Sequence, residues 1–224
     1  MRRFLRENGL SLAFGGLFLL VLAGQAVSGV ADYNAQQATR ELPGIGIWQY
    51  LTSSTFAADV TENWQSEYLQ FFLYVVGTVW LVQRGSPESK EVGEEGPLDD
   101  EREQLGTNAG PGAPAWAKAR GFRGLVFSRS LGLLMGFIFL LSWGAQSVAG
   151  RANYNVERLR DLEEPMTWAQ YVVSSDFWNR TLQNWQSELL AVGSMAIFSV
   201  FLRQRGSSES KPVGAPHEAT AVEN

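Results

Sequence analysis

Asn63-Trp64-Gln65-Ser66-Glu67 returns letter for letter as Asn184-Trp185-Gln186-Ser187-Glu188, 121 residues further on. The offset holds without a gap from Leu10/Leu131 to Gly93/Gly214, so one unit of roughly ninety residues is written twice in a chain of 224. Any fold must place both copies equivalently. Each copy carries two apolar runs. The expected fold class is therefore an all-α membrane protein with four transmembrane helices: a tandem parallel repeat of two-helix units, packed as a compact four-helix bundle.

The first run, Leu10 to Val30, has no charge in 21 residues, long enough for a helix to cross ~30 Å of hydrocarbon. Its copy runs from about Leu131 to Val148. The second run, Tyr68 to Val82, and its copy, Leu189 to Leu202, fall a few ångströms short at ~1.5 Å per residue. Extending them back to Asn63 and Asn184 supplies the length and sets the repeated pentapeptide at the membrane boundary, where Trp is favoured. A cleaved signal peptide fits the basic start and the small residues near Ala26 and Gly29 loosely. The internal partner of that run must stay, so a retained span is expected.

Thirteen Lys and Arg fall at the N-terminus, in the central linker and in the tail, against five in the two inter-span loops (Arg40, Arg151, Arg158, Arg160 and Arg180). Both termini and the linker are thus expected in the cytoplasm. The organisation reads as a first two-span repeat over 1–84, a flexible cytoplasmic linker over 85–120, a second repeat over 121–206 and a disordered tail over 207–224. The linker is rich in Gly, Pro and Glu and too polar to bury a core. The outer loops, about Ala31–Glu62 and Arg151–Gln183, are too long for bare turns. Trp48-Gln49-Tyr50 and Trp168-Ala169-Gln170-Tyr171 suggest short helices lying in the interface.

Composition excludes several chemistries. There is no Cys, which removes disulfides and thiolate sites, and His217 is the one His, lying in the polar tail. A His-based metal site or catalytic triad is not expected, nor any cofactor or enzymatic activity. The net charge of −5 and the lack of a basic patch argue against nucleic acid. The expected partners are membrane lipids, with association into a homo-oligomer left open. Eight Trp suit a protein anchored at two membrane–water interfaces.

At 100° per residue, one face of the helix from Asn63 carries Asn63, Ser66, Glu67, Gln70, Tyr74, Gly77 and Thr78. The other carries Trp64, Tyr68, Phe71, Phe72, Val75, Val76 and Val79, with Gln65 a misfit. The polar face is expected to meet protein and the apolar face lipid. The candidate polar site is Gln25, Asn63, Glu67, Gln70, Gln146, Asn184 and Glu188. Within it, Glu67 and Glu188 would share a proton if they met near the pseudo-two-fold axis. The blander reading puts both glutamates in the headgroup layer, at the start of a helix whose dipole favours them. Gln25 and Gln146 read first as interhelical hydrogen bonds, and Gly132-xxx-Gly136 with Ser11-xxx-Gly15 as sites of close helix contact. Trp64, Trp185, Arg84 and Arg205 read as interface anchors. Tyr33-Asn34 and Tyr154-Asn155 open the outer loops. Ser53 and Ser174, with no base nearby, read as caps.

Arg6-Glu7-Asn8-Gly9-Leu10-Ser11-Leu12, the pentapeptide at Asn63, and Gln83-Arg84-Gly85-Ser86-Pro87-Glu88-Ser89-Lys90 resemble an uncharacterised bacterial membrane-protein family, domain of unknown function 6766. The resemblance covers both copies. It implies a multi-pass protein of the bacterial plasma membrane with four spans. That family has no assigned activity, so no functional residue carries over. The second copy departs at its start, where Phe127-Ser128-Arg129-Ser130 stands in place of Arg6-Glu7-Asn8-Gly9.

Overall fold

A computed structural model describes residues 1–222, and among these every regular element is a helix. In chain order they are α1 (Arg2–Glu7), α2 (Gly9–Thr39), α3 (Ile47–Leu51), α4 (Ser54–Gly77), α5 (Phe122–Ser128), α6 (Ser130–Arg160), α7 (Trp168–Val172) and α8 (Ser175–Phe201), with a 3₁₀ turn at Gly106–Asn108.

Two of these, α2 and α6, are long and apolar enough to cross a membrane: each has 31 residues, and their most apolar 18-residue stretches have mean hydropathies of 2.0 and 1.7. A helix this apolar in a soluble protein would be its core. Here α2 buries only Ala26 and Gln37, while Leu10 stays 74 % exposed and Phe14 67 %. Such a surface needs an apolar surrounding. At 24 and 27 residues α4 and α8 also have the length to cross. Asp59, Glu62 and Glu67 on α4, and Asp176, Arg180 and Glu188 on α8, keep their average hydropathy low.

The chain divides into two compact units, Met1–Val60 with Ala145–Tyr171, and Thr61–Gly144 with Val172–Asn224. In the first, hydrogen bonds 121 residues apart take the same form. The Asn34 side chain donates to Ile45 O at 2.9 Å and accepts from Ile45 N at 2.7 Å. Asn155 does the same with Met166, at 2.9 and 2.8 Å. Each amide thus imitates a backbone bridge and closes the loop that leaves a long helix. Gln49 and Gln170 accept from the backbone N–H groups of Gly46 and Thr167, at 2.9 and 2.8 Å, capping the helices α3 and α7. Both long helices end through a left-handed residue, Glu41 (φ 56°) and Leu162 (φ 60°). The N–H that follows reaches back to Gln37 O and Arg158 O. Tyr50 and Tyr171, 3 % and 1 % exposed, lie directly over Gly29 and Gly150. A Cβ on Gly150 would stand 2.6 Å from the Tyr171 hydroxyl oxygen, so only glycine fits beneath the ring.

The second unit also repeats local bonds, the Gln83 N–H donating to Ser89 Oγ at 2.8 Å as the Gln204 N–H does to Ser210 Oγ at 2.9 Å, but its packing is not symmetric. Its core is an aromatic cluster centred on Trp143, whose ring lies 5.7–6.0 Å from those of Phe139, Phe177, Trp178 and Trp185. The positions 121 residues earlier hold Phe18, Leu22, Phe56, Ala57 and Trp64, so the first copy has fewer rings to build such a cluster. Gly136 faces Phe72 and Gly132 faces Val76, at contact distances of 3.0 and 3.2 Å from where a Cβ would lie, while Gly15 meets nothing. The expected small-residue contact therefore forms in one copy.

Candidate functional site

Side-chain exposure on α4 corrects the expected polar face. Gln65, Ser66 and Leu69 are buried, whereas Asn63 and Glu67 are exposed and Gln70 is half-buried. The packed line runs Glu62–Gln65–Leu69 and continues through half-buried Phe72 to Val76, which is 40 % exposed. That is the expected stripe turned back by one residue, or about 100°. Two partners explain the turn. The Trp185 indole N–H donates to Gln65 Oε1 at 2.7 Å, drawing the misfit Gln65 inward to zero exposure. Gly132 and Gly136 leave a hollow that Phe72 and Val76 fill. Trp185, expected as an interface anchor, instead packs against Trp143 and Phe139. Trp64 keeps 39 % exposure.

Around Gln65 the polar groups are only partly matched. Its Nε2 is buried with no hydrogen-bond acceptor. Trp143 Nε1 donates to Thr181 Oγ1 at 3.4 Å, and Glu62 pairs with Arg180 at 3.5 Å. Glu67 and Glu188 lie within electrostatic reach of each other, but no hydrogen bond joins them among the described residues. Asn184 turns its amide back to Arg180 O at 2.9 Å, a bond within its own helix.

In the first unit, Gln25 is half-buried and Gln146 is 2 % exposed. Neither amide atom of Gln146 has a hydrogen-bond partner. An unmatched buried amide costs about 1–3 kcal/mol, so Gln146 is a place where a polar group would be welcome. Tyr50 has its hydroxyl pushed above the usual range by burial first, and then by Asp59 and Asp32.

Sequence reasoning missed one carboxyl pair. Glu88 and Glu209 are 121 residues apart, and their side chains share a hydrogen bond while the Tyr74 hydroxyl donates to Glu88. Burial and then Glu209 hold the Glu88 carboxyl above the ordinary carboxylate range, with the Tyr74 donor opposing. The signal was present in the repeated Glu-Ser-Lys words. Next to this pair, Lys211 is fully buried and its ammonium donates to Gly85 O (2.5 Å), His217 O (2.9 Å), Ala219 O (3.1 Å) and Pro216 O (3.3 Å). Arg84 pairs with Glu218 at 2.7 Å, both well exposed, and Arg205 is exposed. Ser53 and Ser174 accept from the N–H groups of Phe56 and Phe177, as helix caps do.

A family model, Domain of unknown function (DUF6766), matches residues 1–222. The chain belongs to this family. No curated protein and no solved structure matches it. The DUF6766 match spans both copies together with the linker and almost all of the tail. It brings no activity with it, so the side chains themselves carry the functional reading.

Proposed function

We propose that this DUF6766 chain is a non-enzymatic integral protein of the bacterial plasma membrane with a structural, envelope-associated role. In this reading it has four spans, built as a tandem repeat of two-helix units with both termini cytoplasmic. The observation that carries the membrane part is the outward-facing apolar surface of α2, which only lipid or another apolar surface would satisfy. Support for the repeat comes from the loop closures at Asn34 and Asn155 and from the paired left-handed residues at Glu41 and Leu162. Support for a structural role comes from how the repeated polar side chains are used. Asn34, Asn155, Gln49 and Gln170 all spend their hydrogen bonds within their own loops.

A second reading, a small transporter or channel, is favoured by Gln146. An amide buried with both ends unmatched is what a polar permeant or a water file would meet. Ion and proton flux in proteoliposomes separates the two, comparing wild type with Glu67→Gln/Glu188→Gln and with Gln146→Leu. The structural reading expects no flux above empty liposomes at any pH or ion tested. Flux that either variant abolishes would overturn it.

A further inference from the structure

Immediately before α6, the stretch from Lys118 to Arg129 holds four cations in twelve residues. Arg120 and Arg129 line an open groove of about 460 Å³ whose opposite wall runs from Asp100 to Thr107 in the linker. No carboxylate pairs with Arg120, Arg123 or Arg129 among the described residues. Arg129 reaches only its neighbour Ser128 Oγ, at 3.4 Å. Elsewhere in this acid-rich linker pairing does occur, as between Arg102 and Glu94 at 3.2 Å. No ion pair among the described residues thus engages the groove's guanidinium groups, and Asp100 is the one carboxylate among its lining residues.

Exposed apolar side chains stand beside them, Leu125 on the groove wall itself. Trp116 is 50 % exposed, Phe122 79 % and Leu125 51 %. Phe122 and Leu125 are three apart on α5 and share a face. One residue, Arg129, then separates α5 from the apolar helix α6. Cations, exposed aromatic and aliphatic side chains, and a membrane-length helix following at once are what an interfacial segment presents to a phospholipid surface.

We propose that this groove binds the phosphodiester headgroup of an anionic phospholipid. Arg120 and Arg129 hold the phosphate, and Phe122 and Leu125 enter the acyl boundary beside it. A guanidinium suits a phosphate because its N–H groups match two oxygens at once. Two guanidinium charges against the single Asp100 carboxylate leave one net positive charge, matching one phosphodiester. Asp100 is the acceptor available to headgroup hydroxyls. This inference rests on the membrane reading above.

The test uses the full chain in lipid nanodiscs made from phosphatidylcholine with one-fifth phosphatidylglycerol. It measures the enrichment of phosphatidylglycerol retained by the protein on extraction into detergent. Wild type is expected to retain phosphatidylglycerol in excess of its share. Arg120→Gln/Arg129→Gln should cut that enrichment by about five-fold or more, at ~1 kcal/mol per cation near the surface. Arg102→Gln, outside the groove, should leave it unchanged, and Asp100→Asn should raise it. Equal enrichment in the double variant, or an equal loss in Arg102→Gln, would overturn the site. Displacement of the lipid by millimolar inorganic phosphate would assign the groove to a soluble anion instead. Failure of the wild type to enter nanodiscs would overturn the membrane reading along with the site, whereas entry without enrichment would overturn the site alone.

Discussion

The two compact units differ in how far the repeated sequence carries from local bonds into packing. In one, residues 121 apart do the same work: Asn34 and Asn155 close loops, Tyr50 and Tyr171 cover glycines, and Glu41 and Leu162 turn the chain out of a helix. In the other, local bonds repeat as well, Gln83 with Ser89 as Gln204 with Ser210, but residues packed against the other copy part company. Gln65 is buried against Trp185, while its counterpart Gln186 is exposed and Trp64 keeps the more exposed place. Identity of sequence therefore yields identity of structure where the partners are local, twenty-one residues away or fewer. It fails where the partner lies in the other copy, because Trp143 and Trp178 stand where the first copy has Leu22 and Ala57.

The largest expected effect tests that asymmetry. Trp185→Ala should cost about 3–5 kcal/mol in reversible unfolding in mixed micelles, since it empties the cluster and leaves the Gln65 amide unmatched at both ends. Trp64→Ala should cost about 1 kcal/mol or less. Equal losses would show the two tryptophans to be equivalent and dissolve the contrast.

The second expectation tests the symmetry. Asn34→Ala and Asn155→Ala each remove two hydrogen bonds to one backbone residue, and each should cost about 1–3 kcal/mol. The two losses should agree within about 0.5 kcal/mol. A clear inequality would break the comparison from the other side.

A smaller effect concerns pH. Glu88 holds its proton more tightly in the folded chain than in the unfolded one, through burial and the Glu209 carboxyl. The folded state then binds more protons between the ordinary carboxylate value and the raised one. Stability is therefore greatest below that window and falls as pH rises through it. Glu88→Gln should flatten that slope, read as unfolding midpoints across the acidic range. The same slope in both proteins would remove Glu88 from the account.

Smallest of all, Leu162 sits at φ 60° and 95 % exposed, with nothing to gain from its side chain. Leu162→Gly should stabilise by about 0.5–1 kcal/mol, the relief of a strained left-handed backbone outweighing the entropy of glycine. A loss of stability would mean the turn is not strained.

How much of this was legible depended on where the deciding partner lay. The apolar helices α2 and α6 could be read directly, since an uncharged run of that length has few alternatives. Tyr33-Asn34 and Tyr154-Asn155 were visible as a repeated pair at the mouth of the loops, though not their bridge to Ile45 and Met166. The face of α4 was misread because polarity alone was counted. Gln65 is buried by an indole 120 residues away and Phe72 by two glycines on α6, and helical periodicity registers neither. Glu88 and Glu209 escaped notice because their words fall in segments read as solvated linker and tail. Lys211 lies in the same tail, yet its ammonium is enclosed by four carbonyls that no local pattern announces.

The central claim is that both copies cross the membrane twice and in the same direction. The chain has no cysteine, so single cysteines can be introduced and labelled from either side with a membrane-impermeant maleimide. Suitable positions are Gly112 in the linker, Ser208 in the tail, and Leu42 and Glu163 in the loops that follow α2 and α6. The account predicts Gly112 and Ser208 on the cytoplasmic side and Leu42 and Glu163 together on the opposite side. Labelling of Leu42 or Glu163 from the same side as Gly112 would contradict it, leaving α2 or α6 without a crossing.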